Sequence, residues 1–102
     1  MLTNYIREPD GTIRREPNTL AWAAWFEEPA NRRIAETFVG NVRVSTVFLG
    51  IDHNFSPDDP MPILFESMVF GGPHDETQER YYTEEEARLG HTDLVRLVRE
   101  RK

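Results

Sequence analysis

The sequence predicts an α+β fold in which an antiparallel sheet carries a short Trp-rich helix and a C-terminal amphipathic helix, all within one domain spanning residues 1–102. Two observations fix the elements. Val42 to Leu49 and Ile63 to Phe70 are β-branched and aromatic runs of strand length. Thr83-Glu84-Glu85-Glu86 is a capping box that opens a helical apolar stripe. A third observation, the order hairpin, helix, several strands, helix, favours sequential antiparallel pairing with the helices on one face.

At the N-terminus, Tyr5 and Ile6, then Pro9-Asp10-Gly11, then Thr12-Ile13 read as a short hairpin, because Pro presets the turn and Asp-Gly supplies the positive-φ position. Asn18 or Thr19 then caps a helix running through Leu20 to Glu28, and Pro29 stops it. Trp22, Trp25 and Phe26 stand at i, i+3 and i+4, on one side of a helix so short that it needs docking to persist. From Arg33 the period becomes two, with Ile34, Glu36 and Phe38 alternating against Arg33, Ala35 and Thr37; Val39-Gly40 or Gly40-Asn41 turns the chain into Val42 to Leu49. Gly50 to Pro62 holds three prolines and three aspartates and is a loop. Its length marks it as a place for function. Ile63 to Phe70 is a strand closed by Gly71-Gly72-Pro73-His74-Asp75, and Gln78 to Tyr82 forms one more. The last helix runs from about Glu84 to Arg101, with Ala87, His91, Leu94, Val95 and Val98 as its apolar stripe and Gly90 allowing close approach to the sheet.

Composition excludes several function classes. Twelve basic residues stand against 18 acidic, for a net charge of -6, and cysteine is absent. Disulfides, thiolate zinc sites and cysteine nucleophiles are therefore ruled out. An acidic balance disfavours a surface tracking duplex nucleic acid, though not a pocket for one small anion. No run nears the roughly 18 apolar residues of a membrane span. The opening residues lack the basic-then-apolar order of a signal peptide. A cytosolic protein follows as the expectation. Of the basic residues, 11 are arginine and one, Lys102, is lysine. That skew suits bidentate pairing with carboxylate or phosphate, and also follows from GC-rich coding.

The densest polar constellation is Asp52-His53-Asn54-Phe55. An Asp-His pair can orient an imidazole as base or metal ligand; the plain alternative is that Asp52 and Asn54 make side-chain turns while His53 is simply exposed. His74-Asp75 and Asp58-Asp59 add oxygen and nitrogen donors, without the helix-face spacing of zinc motifs. Glu66 is placed mid-strand on the face of Leu64, Met68 and Phe70, with Arg43 on the neighbouring strand as its natural partner, in a structural ion pair or separately facing a ligand. Glu79-Arg80-Tyr81-Tyr82 sets a guanidinium beside aromatic rings, a pairing that suits phosphate and base. His91 reads as a hydrogen-bonded core histidine. The C-terminal Arg96, Arg99 and Arg101 are accounted for by the helix dipole.

Val42 to Phe55, Leu64 to Gly72, Glu79-Arg80-Tyr81 followed by Thr83, Glu85-Glu86-Ala87 and Gly90-His91, and the helix Trp22-Ala23-Ala24-Trp25-Phe26-Glu27 resemble a family of small phage and prophage proteins, over most of the chain beyond residue 20. The pattern is similar to the first family of Thoeris anti-defence proteins. That resemblance implies a nucleotide sponge in the host cytoplasm that binds cyclic ADP-ribose isomers, or other cyclic nucleotide signals, without catalysis. It also implies assembly as dimers or hexamers, with no cofactor. A pocket for such a ligand needs arginines for the pyrophosphate, polar acceptors for ribose and base, and aromatic stacking. Chemistry assigns Arg43 and Arg80 to phosphate, Asp52, His53 and Asn54 to ribose or base edges, and Phe55, Phe65, Trp25 or Tyr81 to stacking. Two rivals are a metal-dependent phosphohydrolase using Asp52, His53, His74 and Asp75, and a phage module docking a host protein through the Trp-rich helix or the prolyl loop.

Overall fold

The computed structural model describes residues 3–100 and has the expected α+β architecture. A hairpin of β1 (Tyr5–Arg7) and β2 (Ile13–Arg15) precedes α1 (Thr19–Phe26). A single 3-10 turn, Pro29–Asn31, leads into β3 (Arg33–Val39), β4 (Val42–Phe48), β5 (Phe65–Phe70) and β6 (Gln78–Tyr81), and α2 spans Glu84–Glu100. The four later strands form one antiparallel sheet in the order β3-β4-β5-β6, as sequential pairing requires. The hairpin does not join it. It is a separate two-stranded sheet, tied to the larger one through an isolated bridge between Asn4 and Ile51.

Helix α1 begins where Asn18 Oδ1 accepts from the Ala21 amide at 3.0 Å, and ends before Pro29, which starts the 3-10 turn. It persists by docking. Trp22 stacks on Phe26 with ring centroids 4.7 Å apart, and its Nε1 donates to the carbonyls of Tyr5 and Gly50, both at 3.1 Å. Trp25 meets Phe48 edge-on at 5.7 Å. At the start of α2 the Thr83 hydroxyl accepts from the Glu86 amide at 3.1 Å, while Glu86 accepts from the Thr83 amide at 3.2 Å, closing the capping box. Gly90 sits where any Cβ would overlap the Tyr81 ring, so its missing side chain sets the helix-to-sheet distance.

Strand faces differ from the simple alternation. The register of β3 on β4 shifts between Arg33 and Ala35, a β-bulge that lets Ile34, Ala35, Thr37 and Val39 all turn inward. Glu36 and Phe38 consequently lie outside, with Phe38 64% exposed, where uninterrupted period two groups them with Ile34. On β5 the inner face is Phe65, Ser67 and Val69, so Glu66, Met68 and Phe70 face outward. The predicted Arg43–Glu66 pair is not formed. Glu66 lies directly opposite Arg80 and bonds its Nε at 3.0 Å, while Arg43 reaches Glu36 at 3.3 Å.

The core has two apolar clusters under α2. One holds Ile34, Phe48, Leu64, Phe65 and Ala87; the other Val44, Val69, Leu94, Val95 and Val98. Between them runs a buried polar row, Thr46, Ser67 and His91. His91 bonds Thr46 through Nδ1 at 2.7 Å and Thr37 through Nε2 at 2.9 Å, which confirms it as a satisfied core histidine.

Hairpin and helix are joined by a fork that sequence reading did not anticipate: Arg7 Nε and Nη2 donate to the two Glu84 carboxylate oxygens at 2.8 and 3.0 Å, and Arg88 adds a bond from the next turn. The Arg7 bond holds the Glu84 carboxyl below its usual range, burial opposes it, and Arg88 reinforces it. A carboxyl depressed on folding stabilises above its unfolded pKa of about 4.3 and loses that contribution as pH falls through the folded value. Thermal melts should therefore fall on acidification below about pH 4, and Glu84→Gln should flatten that acid limb. An unaltered limb in the variant would assign the acid sensitivity elsewhere.

Candidate functional site

The bulge in β3 and the helical period of α2 build a groove between them. Because the bulge turns Thr37 inward on an edge strand, its hydroxyl stands at the margin of the sheet opposite α2. Along α2, Thr92, Arg96 and Arg99 follow at i, i+4 and i+7, forming one flank beside the buried stripe. Thr37, His91, Thr92, Val95, Arg96, Arg99 and Glu100 line an open groove of about 500 Å³. That volume falls within the range of small-molecule sites.

Its lining carries a surplus of positive charge. Two guanidinium groups face one carboxylate, in a chain whose net charge is -6. Among the described residues, Arg96 is held only by Asp93 at 3.2 Å, and both side chains are mostly exposed. Among the described residues, Arg99 makes no ion pair. The Thr92 hydroxyl donates to the Arg88 carbonyl at 3.2 Å, so it presents lone pairs rather than its hydrogen. At the base, His91 is 7% exposed, and burial, aided by Arg88, lowers its pKa, which keeps the ring neutral near pH 7.

The residues nominated from sequence chemistry are not gathered in one place. Arg43 and Arg80 lie on the outer face of the sheet, where Arg43 stacks over Phe70 at 4.2 Å and Arg80 is matched to Glu66. Arg80 and Tyr81, adjacent in sequence, point to opposite sides of β6, as strand geometry dictates, so the guanidinium does not flank the ring. Tyr81 faces inward beneath Gly90. Phe65 is 0% exposed and Trp25 packs on the same cluster; the buried Phe65 offers no free ring face for stacking. Five residues of extended chain, about 17 Å, separate Arg43 from Phe48, where the loop departs, which is beyond an arginine's reach.

That loop is an internally braced structure. Asp52 Oδ1 accepts from the amides of Asn54 and Ile63 at 2.7 and 3.0 Å, and Asn54 Nδ2 donates to the carbonyls of Asp59 and Met61. His53 Nδ1 lies 2.7 Å from the Ile51 carbonyl. The Tyr82 hydroxyl donates to Asp59 at 2.6 Å, an interaction that holds the Asp59 carboxyl below its usual range. Asp52 and Asn54 thus make the side-chain turns of the plain alternative, His53 is half-buried against the Ile51 carbonyl rather than simply exposed, and Phe55 projects 70% exposed from the brace. Among the described residues, no three His, Asp or Glu side chains converge to hold a metal ion, so Asp52, His53, His74 and Asp75 do not form a centre.

Sequence reading passed over Arg96 and Arg99 because the helix dipole explained them. The available signal was their i, i+4, i+7 spacing with Thr92 beside the stripe residue His91. Thr37 carried none, since its inward turn depends on the bulge. No family model, curated protein or solved structure matches the chain.

Proposed function

We propose that the protein binds and sequesters a phosphate-bearing small molecule, a cyclic nucleotide signal such as a cyclic ADP-ribose isomer, without degrading it, as a phage anti-defence protein in the host cytoplasm. The observation that carries the reading is the groove in which Arg96 and Arg99 flank a neutral histidine and two threonine hydroxyls. The arginines suit phosphate oxygens, which accept bidentate bonds. The apolar Val95 supports a base or ribose edge. No described helix is long and apolar enough to cross a membrane.

Isothermal titration with a cyclic ADP-ribose isomer tests the reading directly. Saturable heat at micromolar concentration, with intact nucleotide recovered after heat denaturation of the protein, is the expected result. Absence of heat removes this ligand, and a cleaved nucleotide replaces the sponge by a hydrolase.

Assembly as dimers or hexamers belongs to the same proposal. The outer face of the sheet is uncovered by either helix, and there Phe38 and Phe70 flank Arg43 in one cross-strand row. Phe38→Asp is expected to lower the mass measured by light scattering to that of a single chain; an unchanged assembly moves the contact elsewhere. Protein docking is a second reading, supported by Phe55 and the half-exposed Met61 on the braced loop.

A further inference from the structure

The buried polar row connects the far side of the core to the groove, and its hydrogen-bond arithmetic gives it a direction. The Tyr81 hydroxyl is buried beneath Gly90 and faces Ser67, with no hydrogen bond completed to any described residue. Ser67 Oγ lies 2.5 Å from Thr46 Oγ1, Thr46 Oγ1 lies 2.7 Å from His91 Nδ1, and His91 Nε2 lies 2.9 Å from Thr37 Oγ1. Each hydroxyl has one hydrogen to give, and a neutral imidazole donates from one nitrogen while accepting at the other. His91 therefore imposes one sense on both halves of the row.

Two senses exist. If Thr37 gives its hydrogen inward to Nε2, then Nδ1–H goes to Thr46 and Thr46 gives to Ser67. Ser67, completely buried and bonded among the described residues to Thr46 alone, is then left with a hydroxyl hydrogen and no acceptor, which is unfavourable. In the opposite sense Ser67 gives to Thr46, Thr46 to Nδ1, and Nε2–H to Thr37. Every hydrogen of the row from Ser67 to His91 then has an acceptor, and the Thr37 hydrogen remains for the groove.

We propose that the row Ser67–Thr46–His91 holds His91 as its Nε2–H tautomer and thereby leaves the Thr37 hydroxyl hydrogen to the ligand, making Thr37 a specificity-determining contact. Such a donor, set between the two threonine-bearing walls with Arg96 and Arg99, selects groups that only accept: the ionised oxygens of a phosphodiester or pyrophosphate. An ammonium in the same place would be repelled by the two guanidinium groups and would leave the Thr37 hydrogen without an acceptor. The inference rests on the groove's being a phosphate site and adds which atom reads the ligand's protonation.

The experiment has two arms on the folded protein. Long-range ¹H–¹⁵N NMR of the unliganded protein reads the His91 tautomer without any ligand; Nε2–H is expected, and Nδ1–H overturns the proposal. In the second arm, titration with inorganic pyrophosphate should show affinity falling about tenfold in Thr37→Val and recovering in Thr37→Ser, the size of one hydrogen bond to a charged group. Undiminished affinity in Thr37→Val overturns Thr37 as the contact while the groove stands. If the native protein shows the Nε2–H tautomer yet binds no pyrophosphate, the phosphate reading of the groove fails, and the ligand role of Thr37 with it.

Discussion

Phe48→Ala is expected to cost about 3–5 kcal/mol, the range for removing a fully buried aromatic ring. Phe48 is completely buried at the end of β4 and touches three parts of the protein at once. Its ring meets Trp25 of α1 edge-on at 5.7 Å and Phe65 of β5 at 5.4 Å. Its backbone amide donates to the Arg32 carbonyl at 2.7 Å, anchoring the chain between the 3-10 turn and β3. Truncation would leave a cavity where the N-terminal hairpin, α1 and the sheet share one apolar cluster. Against a total stability of about 5–15 kcal/mol for a domain, that loss brings the protein close to unfolding. Urea unfolding monitored by tryptophan fluorescence measures it, and a change below about 1 kcal/mol would mean that the cluster collapses around the gap. Phe48→Leu should recover most of the stability, since it restores volume but not the edge contacts.

Removing Arg96 and Arg99 together should weaken binding of a cyclic ADP-ribose isomer by about a hundredfold or more, while leaving the melting temperature nearly unchanged. A hydrogen bond to a charged group contributes about 1.5–3 kcal/mol, and two such groups are lost. Stability should be spared because both arginines are exposed and the one ion pair lost, Arg96 with Asp93, lies at the surface. Isothermal titration of Arg96→Ala, Arg99→Ala and the double variant provides the measurement. Arg80→Ala is the control that separates the groove from the outer sheet face: its guanidinium is matched to Glu66, away from the groove, so affinity should not change. If Arg80→Ala abolishes binding and the Arg96/Arg99 variant does not, the ligand sits on the outer face.

Local signals in the sequence were enough for the elements. The capping box at Thr83, the α1 cap at Asn18 and the Gly90 approach each depend on residues a few positions apart, or on the absence of one side chain. The helix stripe Ala87, His91, Leu94, Val95 and Val98 is likewise a matter of period alone. The site was harder because it depends on parity and register. A single bulge near Ile34 decides which side of β3 faces α2, and nothing in the alternation of Arg33 to Phe38 announces it. Arg80 and Tyr81 look like neighbours in one dimension and are separated by the sheet itself in three. Glu66 had to find a cation, and which one was fixed by the β5–β6 register rather than by the chemistry of Arg43. In the loop the residues that drew attention, Asp52 and Asn54, were conspicuous because they build the turn.

The histidine between the two apolar clusters has a further consequence, for how α2 finds its seat. Valines and leucines packing on a sheet attract without direction, so a helix resting on two greasy patches alone could slide by a turn or roll and still bury similar area. His91 removes that freedom. Its two ring nitrogens bond hydroxyls on two different strands, Thr37 of β3 and Thr46 of β4. A slide of one turn or a roll about the helix axis would leave polar groups in the core without partners. The imidazole thus works as a registry key: it is turned only when helix and sheet are in the one alignment that places Arg96 and Arg99 opposite Thr37.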